Sequence, residues 1–83
     1  MQELSWDDLK VLLACSHHGS TRTAASALGV SNSTIARRLE VLEAAIEGRL
    51  FDRTPDGLLA TALCEELLPI AKTVEDTISD GQL

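Results

Sequence analysis

One glycine between two short helix-forming runs constrains the middle of this chain. Ala24, Ala25, Ala27 and Leu28 make a slim, helix-favouring segment. Gly29 follows where a helix stops by stepping into the left-handed region, which glycine occupies without steric cost. A first helix of about two turns therefore ends near Leu28. Two residues after that glycine, Ser31 offers a hydroxyl that accepts an unpaired amide hydrogen of the next helix. Ile35, Leu39, Leu42 and Ile46 then repeat at three- and four-residue spacing and mark a core-facing side. The opposite side carries Ser33, Arg37, Glu40 and Ala44, with Thr34 and Val41 on one flank. The turn between the two helices is too short to let them separate.

Two helices on so short a turn are the layout of a helix-turn-helix, whose second helix presents its early, outward side chains to the major groove of DNA. Eighty-three residues suffice for one small domain with one core and exclude a second. With only 2% aromatic residues the core must be built from Leu, Ile, Val and Ala, which suits packed helices. No apolar run approaches the ~20 residues that span a bilayer, and no basic region followed by an apolar one opens the chain. Nothing marks it for a membrane or for secretion, and a cytosolic location is expected. Cys15 and Cys64 lack metal-type spacing and read as small buried hydrophobes, while His17 and His18 read as residues closing a helix. No cofactor or metal is expected.

The first helix is predicted from Leu4 to His18, with Ser5 as its cap, Asp7 and Asp8 in the first turn, Gly19 as its stop, and Leu9, Leu12, Leu13 and Ser16 as its stripe. After the central helix pair, Leu50 to Arg53 and Leu58 to Thr61 flank Thr54-Pro55-Asp56-Gly57, a turn signal that predicts a short β-hairpin. Beyond it Leu63, Leu67, Ile70, Ala71, Val74 and Ile78 form a helical stripe containing Pro69. The fold expected is mainly α, a winged helix-turn-helix with a two-stranded hairpin as its wing and a long C-terminal helix. Residues 1–61 form the winged domain and 62–83 the linker helix. The stripe outruns so small a domain, and dimerisation through it is preferred over packing at home.

Net charge is −6, the wrong sign for a protein that approaches polyphosphate. Its distribution matters more than its sum. From Arg22 to Arg53 five arginines face four carboxylates, whereas from Ala62 to Leu83 Lys72 stands alone against five. A dipolar molecule can turn its basic face to DNA, with binding that depends steeply on salt.

Leu9, Gly19-Ser20, Ala24-Ala25, Leu28, Val30-Ser31, Ser33, Arg37, Leu42-Glu43, Leu50-Phe51, Arg53-Thr54, Gly57-Leu58, Thr61 and Leu67-Leu68-Pro69 agree in identity and spacing with one family. From about Leu4 to about Val74 the chain resembles the amino-terminal DNA-binding domain of LysR-type transcriptional regulators. The resemblance implies a bacterial regulator that binds double-stranded DNA and forms a homodimer through the helix after the wing. It also implies a separate effector-binding domain outside these residues, the one route by which a small-molecule effector would enter.

Carried over position by position, the resemblance places Asn32, Ser33 and Arg37 at the groove-facing positions, with Ser31 as the cap before them and Thr34 and Arg38 as helpers. Arg37 is the first choice for a base or phosphate contact, since a guanidinium donates in pairs to guanine or to phosphate oxygens. Asn32 stands where the family usually has glutamine and is one methylene shorter. Arg53 and Thr54 fall at the wing, and Ser20 and Arg22 at the start of the motif's first helix, where the backbone is held. Taken singly, Arg37 and Arg38 also read as partners of Glu40 and Glu43, and Arg53 as a partner of Asp52. Departures from the family pattern include Thr21 for phenylalanine, Ala36 for serine, a helix-ending glycine displaced by one residue to Gly48, Asp56 at the wing tip, and Leu63-Cys64 for an Ala-Gly pair. Two functions stay open: a dimeric, sequence-specific DNA-binding domain, and a winged helix that binds protein instead. No nucleophile-base pair, metal cluster or phosphate loop points to an enzyme.

Overall fold

In the computed structural model, which describes residues 5–79, the chain runs α1 (Trp6–His18), α2 (Thr21–Leu28), α3 (Asn32–Ile46), β1 (Phe51–Thr54), β2 (Gly57–Ala60) and α4 (Ala62–Ser79). This is the mainly α, winged helix-turn-helix architecture. The expected helix start at Leu4 and the stretch from residue 80 to 83 lie outside the described residues.

Each of the first three helices begins on a serine. Ser5 accepts from the amide of Asp8, whose carboxylate accepts in return from the amide of Ser5, so two otherwise unpaired donors are satisfied together. Ser20 and Ser31 cap α2 and α3 by accepting from the amides of Thr23 and Thr34. Gly19 and Gly29 close α1 and α2 in the left-handed region, both at φ 72°. At the end of α3 the left-handed residue is Glu47, at φ 56°, not the neighbouring glycine. A side chain in that region costs about 1 kcal/mol. A β-carbon at Gly48 would meet a terminal methyl of Leu63, which would have to give way.

The core gathers around α1, which packs against α2, α3 and α4. Val11, Leu12 and Cys15 are its buried residues; Leu9 and Leu13 are half-buried, and Ser16 is not in the core. Leu9, Leu12 and Leu13 of the expected stripe thus face the core, and Val11 and Cys15 join them because neighbours on several sides bury a wider arc than one amphipathic stripe describes. On α3, Ile35, Leu39 and Leu42 are buried as read, joined by Ala45, while Ile46 is half-buried at the edge.

In the hairpin Phe51 pairs with Ala60 and Thr54 with Gly57, leaving Pro55-Asp56 as a two-residue loop, so the strands lie about one residue from the expected positions. Proline fixes φ negative and so excludes the mirror-image turns usual in such loops. Gly57, at φ 127°, absorbs the mismatch. Its missing side chain matters twice, since a β-carbon there would strike the carbonyl oxygen of Gly19. One residue on, the amide of Leu58 donates to that same carbonyl at 2.8 Å and ties the wing to the loop between α1 and α2.

Thr61 starts α4. Its hydroxyl accepts from the amide of Cys64 at 3.2 Å and donates to the carbonyl of Arg49 at 2.6 Å, while its amide donates to the carbonyl of Leu50 at 3.0 Å. Pro69 lies inside α4 without ending it. The amide it lacks would have met the carbonyl of Glu65, an exposed residue whose oxygen water can serve. None of the described helices is long and apolar enough to cross a membrane.

Cys15 and Cys64 are both fully buried free thiols in this core. Burial pushes each from an ordinary 9.0 up to about 11, with Arg53 drawing Cys15 slightly back. Between those values the unfolded chain loses thiol protons that the folded chain keeps, so stability falls as pH rises. Chemical denaturation measured from pH 8 to pH 11 is expected to show this decline across about pH 9 to 11, and Cys64→Ala to make it shallower.

Candidate nucleic-acid interface

Asn32, Ser33, Arg37 and Arg38 are exposed on α3 and Thr34 is half-buried. The hydroxyl of Ser31 lies 2.8 Å from that of Thr34 and 3.2 Å from that of Ser33, so a small hydroxyl cluster surrounds the helix start. The positive end of the helix dipole lies at the same place. Arg37 stands one turn further along, beside Glu40 and above Ala44 on the outward face.

The arginines decide the character of this surface. Among the described residues the ion pairs are Lys10 with Asp7, Arg49 with Asp52, and Lys72 with Glu75. Arg22, Arg37, Arg38 and Arg53 therefore have no carboxylate within 4.0 Å among the described residues. Neither Arg37 nor Arg38 pairs with Glu40 or Glu43 among the described residues, and Glu43 turns toward the wing. Its carboxylate accepts from the amide of Leu50 at 2.6 Å and from that of Phe51 at 3.4 Å. Asp52 is likewise drawn to Arg49, 3.8 Å away, and not to Arg53.

Arg37 and Arg38 diverge, as adjacent helical residues must. Arg38 lines a shallow hollow with Asp7, Lys10, Leu28 and Val30, on the flank toward α1. Arg53 sits opposite Leu58 in the hairpin, and the bond from Leu58 to Gly19 brings that end of the wing against the cap of α2. The backbone of Arg53 thereby lies close to that of Ser20. The hydroxyl of Ser20 is engaged by Thr23, at 2.8 Å from its hydroxyl and 3.1 Å from its amide. Thr54 is occupied in the turn, donating to the carbonyl of Gly57 and accepting from the amide of Asp56. Ser20, Ser31 and Thr54 are thus architectural residues first.

The stripe on α4 divides. Ala71 is fully buried within the chain, Leu63 rests against Gly48, and Leu67 packs on the core. These three face inward, a correction to the single outward stripe, whose spacing does not separate two adjacent faces of one helix. Ile70 is 59% exposed, and Val74 and Ile78 are half-buried. Sequence reasoning passed over Glu43 as a structural residue, and only its position seven residues before Leu50, across a helix end, hinted at its part.

A capped second helix with unpaired arginines, an antiparallel wing and an exit helix define a winged helix-turn-helix DNA-binding domain. The family model for the bacterial regulatory helix-turn-helix protein, lysR family, matches residues 6–65, and the chain belongs to that family. It is 40% identical over 65 residues to the Mau operon transcriptional activator of Paracoccus denitrificans, covering 78% of this chain and 23% of that protein. It is 39% identical over 75 residues to the HTH-type transcriptional regulator YofA of Bacillus subtilis (strain 168), covering 90% of this chain and 26% of that one. The chain thus spans about a quarter of the length of these curated relatives. Among solved structures, the CbnR_DBD–DNA complex superposes with a TM-score of 0.87 at 26% identity, covering 95% of this chain and 91% of the other.

Truncating Glu43 leaves the amide of buried Leu50 without its acceptor. Glu43→Ala is expected to cost about 1–3 kcal/mol in denaturant unfolding. The amide of Leu50 should lose hydrogen-exchange protection before those of α1.

Proposed function

We propose that this domain binds double-stranded DNA as a homodimer, with the first half of α3 in the major groove and the wing base and α2 cap on the phosphate backbone. The observation that carries this reading is Arg37, which is exposed, outward and free of any carboxylate among the described residues. An arginine held in an ion pair gives up that partner before it can bind phosphate; Arg37 has none to give up. Asn32, Ser33 and Thr34 surround the same helix end and supply short polar groups for base edges. Arg22 and Arg53, with the amides at the start of α2, are the backbone contacts that set register. Arg38, from its flank position, joins the phosphates beside the groove. The structural likeness to a domain described as a DNA complex supports the reading.

In this reading residues 1–61 carry DNA contact and the helix from 62 onward carries dimerisation. Ile70, Val74 and Ile78 are the outward residues for that role. Any small-molecule effector acts through the remainder of a longer regulator.

Fluorescence anisotropy with a labelled duplex tests the groove assignment. Arg37→Ala is expected to weaken binding by about tenfold, equivalent to about 1.4 kcal/mol. If Arg37 touches phosphate, the slope of log affinity against log salt falls by about one and every sequence weakens alike. If it touches a base, discrimination at one position relaxes while the slope holds. Unchanged binding by Arg37→Ala at low and physiological salt would refute the assignment.

Ile70→Asp tests the dimer. Sedimentation equilibrium is expected to show a monomer for the variant where the wild type associates, with helical content unchanged because Ile70 is exposed in the single chain.

A further inference from the structure

Gly48 follows the end of α3 and precedes the wing, yet its backbone makes no use of glycine's freedom. The left-handed residue at this corner is Glu47. What Gly48 supplies is space, which the side chain of Leu63 from the first turn of α4 takes up. Leu63 comes two residues after Thr61, whose bonds to the carbonyls of Arg49 and Leu50 fix where α4 begins. A fixed starting point leaves direction open. Packing of Cys64, Leu67, Leu68 and Ala71 on the core lays α4 along α1, and Leu63 on the bare backbone of Gly48 is the contact it makes at the corner where α3 meets the wing.

From this contact we infer that Leu63 is a positioning residue: seated on Gly48, it sets the angle of α4 to the α3–wing corner and so the separation of the two recognition helices on DNA. The last step rests on the dimeric reading above. α4 has 18 residues, so it is about 27 Å long, and a tilt of about 5° at its base moves its far end by about 2 Å. That is more than half of the about 3.4 Å between successive bases on one strand. Displacing Leu63 therefore changes which half-site spacing the dimer fits, while each α3 still reads its own half-site.

The test compares wild type, Gly48→Ala, Leu63→Ala and the double variant. Spin labels at Ala44→Cys and Asp76→Cys, both exposed positions, report the distance from α3 to α4, and Cys15 and Cys64 are fully buried beneath them. Labelled chain is diluted into unlabelled chain so that only distances within one protomer count. Gly48→Ala is expected to shift the distance and the double variant to bring it back, since trimming Leu63 clears the room that the added methyl needs.

The same proteins are then titrated with duplexes carrying one half-site, selected with wild type from a random library, or two half-sites at varied spacing. One-half-site affinity should be unchanged, while the preference for the best spacing over its neighbour changes by about threefold or more in Gly48→Ala and recovers in the double variant. An unmoved distance, or a moved distance with an unmoved spacing preference, overturns the inference. If Gly48→Ala does not fold, Leu63→Ala alone carries the same comparison. Failure of the dimeric reading shows separately, as a wild type that gains nothing from a second half-site.

Discussion

Leu50 is where three parts of the molecule are joined. Its side chain is fully buried, so its backbone groups must find partners inside the protein. The amide donates to Glu43 of α3, and the carbonyl accepts from the amide of Thr61 at the start of α4. The next residue, Phe51, opens the wing. Recognition helix, wing and exit helix therefore meet at one residue whose polar groups cannot be left unpaired without a cost of about 1–3 kcal/mol each. The recognition helix and the wing are both oriented from this junction.

What sequence conveyed well was local. Ser5, Ser20 and Ser31 are caps, and Gly19 and Gly29 are left-handed stops, because such residues act on a backbone three or four positions away. The outward face of α3 was equally legible, since one side of that helix is buried and the other open. What escaped depends on contacts distant in sequence. Nothing near Glu43 says that it serves the wing, and nothing near Ala71 says that it lies in the core. The stripe on α1 was incomplete for the same reason, missing Val11 and Cys15: a helix enclosed by three others has no single buried line to read. At the α3–wing corner, two departures from the family pattern that look unrelated in sequence, the displaced Gly48 and the bulky Leu63, turn out to touch.

Charge follows a similar logic. A net charge of −6 would place this chain among poor partners for DNA if charge acted as a sum. Over distances beyond the screening length of about 8 Å it does not. Two carboxylates close to the candidate interface are occupied elsewhere, Glu43 with backbone amides and Asp52 with Arg49, while Glu40 stays exposed beside Arg37 and Glu65, Glu66 and Asp76 lie exposed along α4. The protein thus gives two of the nearby acids other work, and needs no excess of basic residues to leave arginines available.

The wing is joined to the loop before α2 by a main-chain hydrogen bond, the amide of Leu58 meeting the carbonyl of Gly19 across a glycine that leaves no side chain between them. A joint made of backbone is indifferent to most side-chain replacement around it. Asp56 at the tip and Arg22 on the neighbouring helix, both exposed, can change identity without altering how high the wing stands beside that helix. Such a domain can acquire a new preference in DNA by altering its side chains one at a time, on a frame whose dimensions those changes leave alone.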